Sequence, residues 1–333
     1  MKLCWVGLED ADAVRTLAPK IEAMGFDTIA VTELQHDPFV RAAVLTEHTK
    51  RVEIMTSVAI ALSRTPMLLA AAAHDLNALS GGRFVLGLGS QTKPHITRRF
   101  SMPWTQPAER MKEMIRAIHA IWDCWYDGKP LKFEGQFYSH TLMTPAFSPT
   151  DTQFGRPPIH MAAVGPLMTE AAAEVADGLV CHVFTTERYV REVTLPAVEA
   201  TLARYGRSRA EFEITGVPFV ATGRDAEAQE AARIEAKRRI AFYGSTPAYQ
   251  AVLDLHGWGA LHQELHRLSR QGRWDDMGGL IDDEIFETFA IVGTPEEAAV
   301  ALKHRFGDVF DRISFGLGND MEAAAQLYAA LRS

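Results

Sequence analysis

Four short segments bring together residue types able to do chemistry. Thr32-Glu33-Leu34-Gln35-His36-Asp37-Pro38-Phe39 holds two carboxylates, an amide and an imidazole within eight residues. Imidazole exchanges protons near pH 7 and a neighbouring carboxylate fixes its tautomer, so His36 is the candidate acid/base, with Glu33 and Gln35 beside it. Asp37 ahead of Pro38 is the expected cap of the next helix. The second segment, Met161-Ala162-Ala163-Val164-Gly165-Pro166-Leu167-Met168-Thr169-Glu170, ends an apolar run in small residues, turns at Gly165-Pro166 and starts a helix. Free N–H groups at such a helix N-terminus offer a seat for phosphate, although a plain strand-to-helix turn has the same pattern. Gly87-Leu88-Gly89-Ser90-Gln91-Thr92 lacks the third glycine of the dinucleotide fingerprint, yet its small residues let a flat ligand approach the backbone. His182 and Phe184 follow another apolar run and are candidate pocket residues. Thr56-Ser57-Val58, taken alone, is a buried strand end.

Other combinations fail. His262 and His266 share a helix face, but His-Gln-Glu-Leu-His has neither order of the zinc-protease motif, so no metal site is expected. No nucleophile-elbow serine and no phosphate-loop lysine pattern occurs. His119 and His304 fall on helices. His160 opens a strand, so it is expected near the opposite end of the fold from the other candidates.

The elements that must position these residues alternate regularly. Strand-like runs at 3–7, 27–31, 52–60, 83–87, 159–164, 178–183, 212–221 and 311–316 are each followed by a helical pattern. The helical patterns cover 11–24, 39–49, 66–79, 108–125, 167–176, 187–205, 226–242 and 321–331. Gly25 stops the first helix, and Thr294-Pro295-Glu296-Glu297 is a capping box that opens a further one. Eight consecutive βα units require parallel strands and close naturally into a (β/α)8 TIM barrel, whose chemistry sits at the C-terminal strand ends. An internal echo, Arg83-Phe-Val-Leu-Gly87-Leu-Gly89-Ser90 against Arg312-Ile-Ser-Phe-Gly316-Leu-Gly318-Asn319, favours one barrel over 1–333 rather than two domains. Insertions are expected at about 127–158, after strand four, and 243–289, after strand seven. Both are long enough to contribute a lid.

Composition agrees with an ordinary globular chain: 333 residues, 47% hydrophobic and 23% charged. The longest uninterrupted apolar stretch, residues 67–73, is far short of the roughly 20 residues that span a bilayer. A net charge of −8 argues against a nucleic-acid-binding face. Three scattered cysteines read as reduced thiols, and with no signal-peptide pattern the expected location is the cytoplasm.

In order along the chain, these strand-end segments resemble the bacterial luciferase-like superfamily, particularly its branch using the deazaflavin coenzyme F420. The resemblance rests on Glu33-Leu-Gln-His36-Asp-Pro-Phe39, Thr56-Ser57-Val58, Leu79-Ser-Gly-Gly-Arg-Phe84 with Gly87-Leu-Gly-Ser90, Ala162-Ala-Val-Gly-Pro-Leu-Met168, Ala176-Asp-Gly178 and Val292-Gly-Thr-Pro-Glu-Glu297. It implies a TIM barrel with the deazaflavin at the C-terminal mouth. A non-proline cis peptide is implied at Ser57-Val58. By the same resemblance Ser57-Val58 would press on the ring, Ser90 and Gln91 would contact the ring or its side chain, and Gly165, Pro166, Leu167 and Met168 would hold the cofactor phosphate, with Thr56, Ala163 and Val164 also among the cofactor-binding residues.

His36 would be the acid/base residue by the same resemblance. Many deazaflavin relatives place Asp-His after strand two, whereas Gln35 precedes the histidine here, and Glu33 offers the carboxylate instead. Thr92 stands where relatives that oxidise sugar phosphates carry a carboxylate, which disfavours such a substrate. The resulting expectation is an F420-dependent oxidoreductase that exchanges hydride with a small, rather apolar organic substrate, aided by His182, Phe184 and the aromatic residues of 127–158. The alternative is an FMN-dependent luciferase-like monooxygenase. A non-catalytic flavin-binding barrel is a third reading, against which the polar cluster at 33–37 speaks. A homodimer is the default assembly.

Overall fold

Short apolar runs alternating with amphipathic stretches fold into eight parallel strands, here seen in a computed structural model that describes residues 1–8, 10–317 and 320–333. The strands are β1 (Lys2–Val6), β2 (Thr28–Val31), β3 (Glu53–Thr56), β4 (Phe84–Gly89), β5 (Ile159–Ala163), β6 (Gly178–Cys181), β7 (Glu213–Gly216) and β8 (Arg312–Phe315). Their order is β3-β2-β1-β8-β7-β6-β5-β4, and pairing of β3 with β4 closes the barrel. This is the expected TIM barrel. Gly318 and Asn319, the last residues of the internal echo, lie outside the described residues.

Eight helices ring the barrel: α1 (Ala11–Met24), α2 (Pro38–His48), α3 (Pro66–Ser80), α4 (Pro107–Asp127), α5 (Pro166–Val175), α6 (Leu195–Arg204), α7 (Pro295–Phe306) and α8 (Met321–Arg332). Local sequence sets their limits. Proline starts α2, α3, α4, α5 and α7, where its missing N–H costs nothing. Gly25 ends α1 in the left-handed conformation at φ 101°, and the Thr294–Glu297 capping box opens α7. Strand interiors and inward helix faces share one apolar core that includes the fully buried Trp5, Phe84 and Trp122.

Two expected strands are broken. The run 52–60 stops after Thr56 and resumes as Ala59–Ile60, separated by a cis peptide between Ser57 and Val58. The run 212–221 divides at Val217-Pro218, because proline has no N–H for the ladder and restricts the residue before it. Its second half, Phe219–Thr222, leaves the barrel and pairs in parallel with Ala290–Gly293. The helix Ala226–Gly244, expected to ring the barrel after strand seven, joins Phe184, Phe219, Phe286 and Phe289 in a second apolar cluster. The ring position before β8 belongs to α7, whose Ala298, Leu302 and Phe306 pack into the barrel core.

The segment 127–158 starts where α4 ends and finishes where β5 begins, at the N-terminal end of the barrel. Its hairpin, Phe133–Glu134 with Ser139–His140, folds back along α4. There the Glu113 carboxylate accepts from the N–H groups of Gln136, Phe137 and Tyr138 at 2.6–2.9 Å. Further on, Asp151 meets His74 and the Gly155 carbonyl meets Asn77, both on α3. The segment therefore covers the outside of α3 and α4 and forms no lid.

Charges close the N-terminal end of the barrel. Arg312, 1% exposed, donates to Glu213 at 2.6 Å, to Glu53 at 2.8 Å and to Thr28, while Lys2 bridges the same two carboxylates. His160 lies there too, as expected, 4.0 Å from Glu213. Among the described residues no helix is long and apolar enough to cross a membrane.

Candidate active site

The opposite, C-terminal end is built from the neighbouring strands β2, β3, β4, β5 and β6, a contiguous arc of the rim. The loop after β2 is held by three arginines from other parts of the chain. Arg64, which follows β3, donates to Glu33 at 2.7 Å and to Asp37 at 2.7 Å. Arg99 donates to the Leu34 carbonyl at 2.7 Å, and Arg41 to the carbonyls of Leu8 and Thr32. Burial alone would lower the Arg64 pKa, but its two carboxylate partners outweigh burial and raise it.

Glu33, expected among the catalytic groups, is thereby engaged. Its side chain is 6% exposed and also accepts the Ile60 N–H at 2.7 Å, so it anchors the segment after the cis peptide to the loop after β2. Asp37 caps α2 through the N–H groups of Phe39 and Val40, as expected. Gln35 and His36 remain exposed at the rim. Among the described residues His36 is thus the ionisable side chain of 32–37 that no ion pair occupies.

The strand ends next to it pack too tightly for side chains. Thr56, expected to face a cofactor, is fully buried; its hydroxyl donates to the Gly87 carbonyl at 2.8 Å and accepts the Gly87 N–H at 2.9 Å. A Cβ on Gly87 would stand 1.7 Å from the Thr56 carbonyl oxygen. One on Gly89 would stand 2.6 Å from the Val58 methyl. Glycine at both places lets β3 and β4 close together and leaves Ser57, Val58, Ser90, Gln91 and Ala162 half-buried at the surface of the mouth. Gln91 adopts φ +59°, unusual for a side-chain-bearing residue, and its amide oxygen accepts the Thr92 N–H at 2.8 Å. The Ser90 hydroxyl donates to the Gln91 carbonyl at 3.1 Å.

After β5 the chain turns at Gly165 and starts α5 at Pro166. Among the described residues no side chain caps this helix, so its first-turn N–H groups are left to solvent or to an anion. Leu167 is 73% exposed, and a Cβ on Gly165 would meet nothing within 4 Å. Val164 and Met168 are half-buried, whereas Ala163 is buried.

His182 follows β6. Its ring lies 4.5 Å from that of Tyr249 and meets Tyr243 edge-on at 4.8 Å. Burial, assisted by the charge of Arg239, lowers its pKa to about 4, so it is neutral at pH 7. Nδ1 accepts the Phe184 N–H at 3.0 Å, which places the ring proton on Nε2 as a donor. Phe184 is a correction: fully buried and stacked on Phe289 at 4.6 Å, it belongs to the second apolar cluster rather than to a pocket wall.

His262 and His266 also have a structural explanation. Their Nδ1 atoms meet the carbonyls of Gly244 and Ser245 at 2.8 and 3.0 Å, at the end of the helix Ala226–Gly244. Among the described residues no group of His, Cys, Asp or Glu is arranged to hold a metal. Arg64, Arg99, Tyr243 and Tyr249 were not anticipated. For Arg64 the sequence signal was the pair of carboxylates in 33–37; Arg99, which binds the Leu34 backbone carbonyl, had none.

The luciferase-like monooxygenase family matches residues 5–312. An uncharacterized Mycobacterium tuberculosis protein is 49% identical over 296 residues, 89% of this chain and 87% of that protein. The 5,10-methylenetetrahydromethanopterin reductase of Archaeoglobus fulgidus is 29% identical over 284 residues, 83% of this chain and 80% of the reductase. Among solved structures, the coenzyme F420 dependent tetrahydromethanopterin reductase from Methanopyrus kandleri has a TM-score of 0.80 at 20% identity, covering 99% of this chain and 96% of that one. A match over nearly the whole chain, on a closed barrel of the same architecture, makes this protein a member of the luciferase-like monooxygenase family.

Proposed function

We propose that the chain is a coenzyme F420-dependent oxidoreductase acting on a small organic molecule. The observation that carries this reading is the rim itself: among the described residues His36 stands outside any ion pair, exposed in a loop clamped by Arg64, beside strand ends pared down to glycine. The residues fit a flat ring with an anionic tail. The uncapped start of α5 offers N–H groups to a phosphate, and Ser57, Val58, Ser90, Gln91 and Ala162 form a surface without long or charged side chains. The reductase relative from Archaeoglobus fulgidus supports a reductive chemistry.

When bound, the deazaflavin supplies two-electron hydride exchange with the substrate. The protein's part is positioning and proton handling. His36 gives or takes the accompanying proton at the substrate, Arg64 and Glu33 hold the loop that carries it, and the Nε2–H of His182 donates a hydrogen bond from the other end of the arc. Replacing His36 by Ala should leave F420 affinity within about threefold and lower turnover by roughly 10²-fold or more. Full turnover in H36A would overturn the assignment.

The family's monooxygenase description favours FMN as a second reading. Parallel calorimetric titrations decide: F420 binding without FMN binding supports the first, and FMN binding with oxygen consumption supports the second. A cytoplasmic homodimer completes the proposal. Exposed Val40 and Leu68 on the neighbouring helices α2 and α3 support the dimer, which light scattering would test.

A further inference from the structure

Beside this arc, between the helix Ala226–Gly244 and the chain around residue 274, lies a cavity of about 400 Å³. That is large enough for a small organic ligand. Its walls are Arg238, Arg239, Phe242, Tyr243, Trp274 and Asp275, and its floor is the buried Met277.

Three features distinguish it from an ordinary surface hollow. First, the Phe242 and Trp274 rings are 52% and 50% exposed, 5.8 Å apart and inclined at 44°, an open wedge of apolar surface. Second, the cations are unequally engaged. Arg233 and Lys237 on the same helix pair with Asp283, and Arg273 pairs with Asp276. Arg238 and Arg239 face the cavity without a carboxylate partner among the described residues, and Arg239 rests 5.3 Å from the centre of the Phe219 ring. Third, the cavity adjoins the proposed active site. Tyr243 forms its wall on one side and touches His182 on the other.

We propose that this cavity is a substrate subsite for a flat ring carrying a carboxylate, with the ring in the Phe242–Trp274 wedge and the anion on Arg238 and Arg239. Guanidinium groups pair with carboxylates in a fork geometry and aromatic walls favour a planar partner, so both halves of the ligand find a complement. Asp275 disfavours a ligand bearing a second negative charge on that side. The substrate class is therefore an aromatic or heteroaromatic carboxylate, more polar than the aromatic content of 127–158 suggested. The assignment rests on the oxidoreductase reading only for the word substrate; the binding site stands by itself.

The test uses 2-naphthoate as the probe, titrated calorimetrically into the full-length protein with and without F420. Binding should weaken at least tenfold in R238Q/R239Q and in W274A, weaken as salt is raised, and remain within twofold of wild type in H36A. Thermal midpoints of the variants are measured alongside, and R238K/R239K, which keeps the charge but loses the fork, should bind more weakly than wild type and more tightly than R238Q/R239Q. Equal naphthoate affinity in wild type and R238Q/R239Q overturns the subsite. Loss of F420 affinity in R238Q/R239Q with naphthoate binding unchanged also overturns it, assigning the arginines to the cofactor's anionic tail. Failure of the oxidoreductase reading would show separately, as absent F420 binding with naphthoate binding intact.

Discussion

Replacing Arg64 by Met tests whether the loop carrying His36 is held from β3. In the native protein the guanidinium bridges two carboxylates of that loop, Glu33 at 6% exposure and Asp37 at 45%. Met preserves much of the stem's packing and removes both charged hydrogen bonds. The Glu33 bond is charge-assisted and shielded, worth about 2–3 kcal/mol, because its loss leaves a nearly buried carboxylate with only the Ile60 N–H. The Asp37 bond is half in water and contributes under about 1 kcal/mol. R64M should therefore unfold in urea with about 3 kcal/mol less stability. E33Q keeps an acceptor for Ile60 and should lose about 1–2 kcal/mol. In R64M/E33Q the stranded charge is gone, so the double variant should be about 2 kcal/mol more stable than the sum of the single effects predicts. Turnover should fall about 10–100-fold in R64M while F420 affinity changes little, since small displacements of a catalytic group are costly. Additive single and double variants, or an R64M protein as stable as wild type, would refute the clamp.

Gly87→Ala should cost about 3 kcal/mol or more in urea unfolding, because its methyl would occupy the Thr56 carbonyl and force β3 from β4. Acid should destabilise the protein in two windows. Burial lowers the His160 pKa to about 4, so between 6.5 and 4 the unfolded chain binds a proton that the native chain refuses, and stability falls as pH drops, by about 3 kcal/mol in total. Burial would raise the Glu213 pKa, but Arg312 outweighs it and lowers it to about 2, so a second loss follows as pH falls below 4.5. H160Q should flatten the first window in pH-dependent urea midpoints; an unchanged slope refutes the assignment. His262→Ala should destabilise by about 1–2 kcal/mol through the lost contact with the Gly244 carbonyl, and prolonged dialysis against EDTA should leave the wild-type thermal midpoint unchanged.

The barrel was legible because its signals are local. Glycine after α1, proline at helix starts, the Thr294 capping box and the alternation of runs each depend on neighbours within a few residues. Which helix rings the barrel before β8 was not legible, since both Ala226–Gly244 and Pro295–Phe306 are sound helices. The choice lies in tertiary partners, in Phe286 and Phe289 against one and the barrel wall against the other. Pro218 was a readable breaker within 212–221 that the apolar run concealed. At the site, the strand-end positions were located from sequence but the side-chain directions were not. Thr56 turns to Gly87 and Phe184 to Phe289, although both stand where a ligand contact was expected. Arg64 escaped notice because its partners are 31 and 27 residues away, a reach only the folded chain reveals.

The two ends of the barrel show why the same residue types have different consequences. At the N-terminal end Arg312 and Lys2 face Glu53 and Glu213, and removing the buried Arg312 would leave two partly buried carboxylates with unbalanced charge. At the C-terminal end the single charge of Arg64 is shared between Glu33 and Asp37, and among the described residues the pairing leaves His36 exposed and outside any ion pair instead of closing over it. The ion pairs at the mouth therefore fix backbone and release one titratable group, whereas those at the base fix backbone and release none. Proton transfer at the base would need a buried group to change charge inside that network. At His36 it needs only a proton exchanged at the rim, where the cofactor reading also places the substrate.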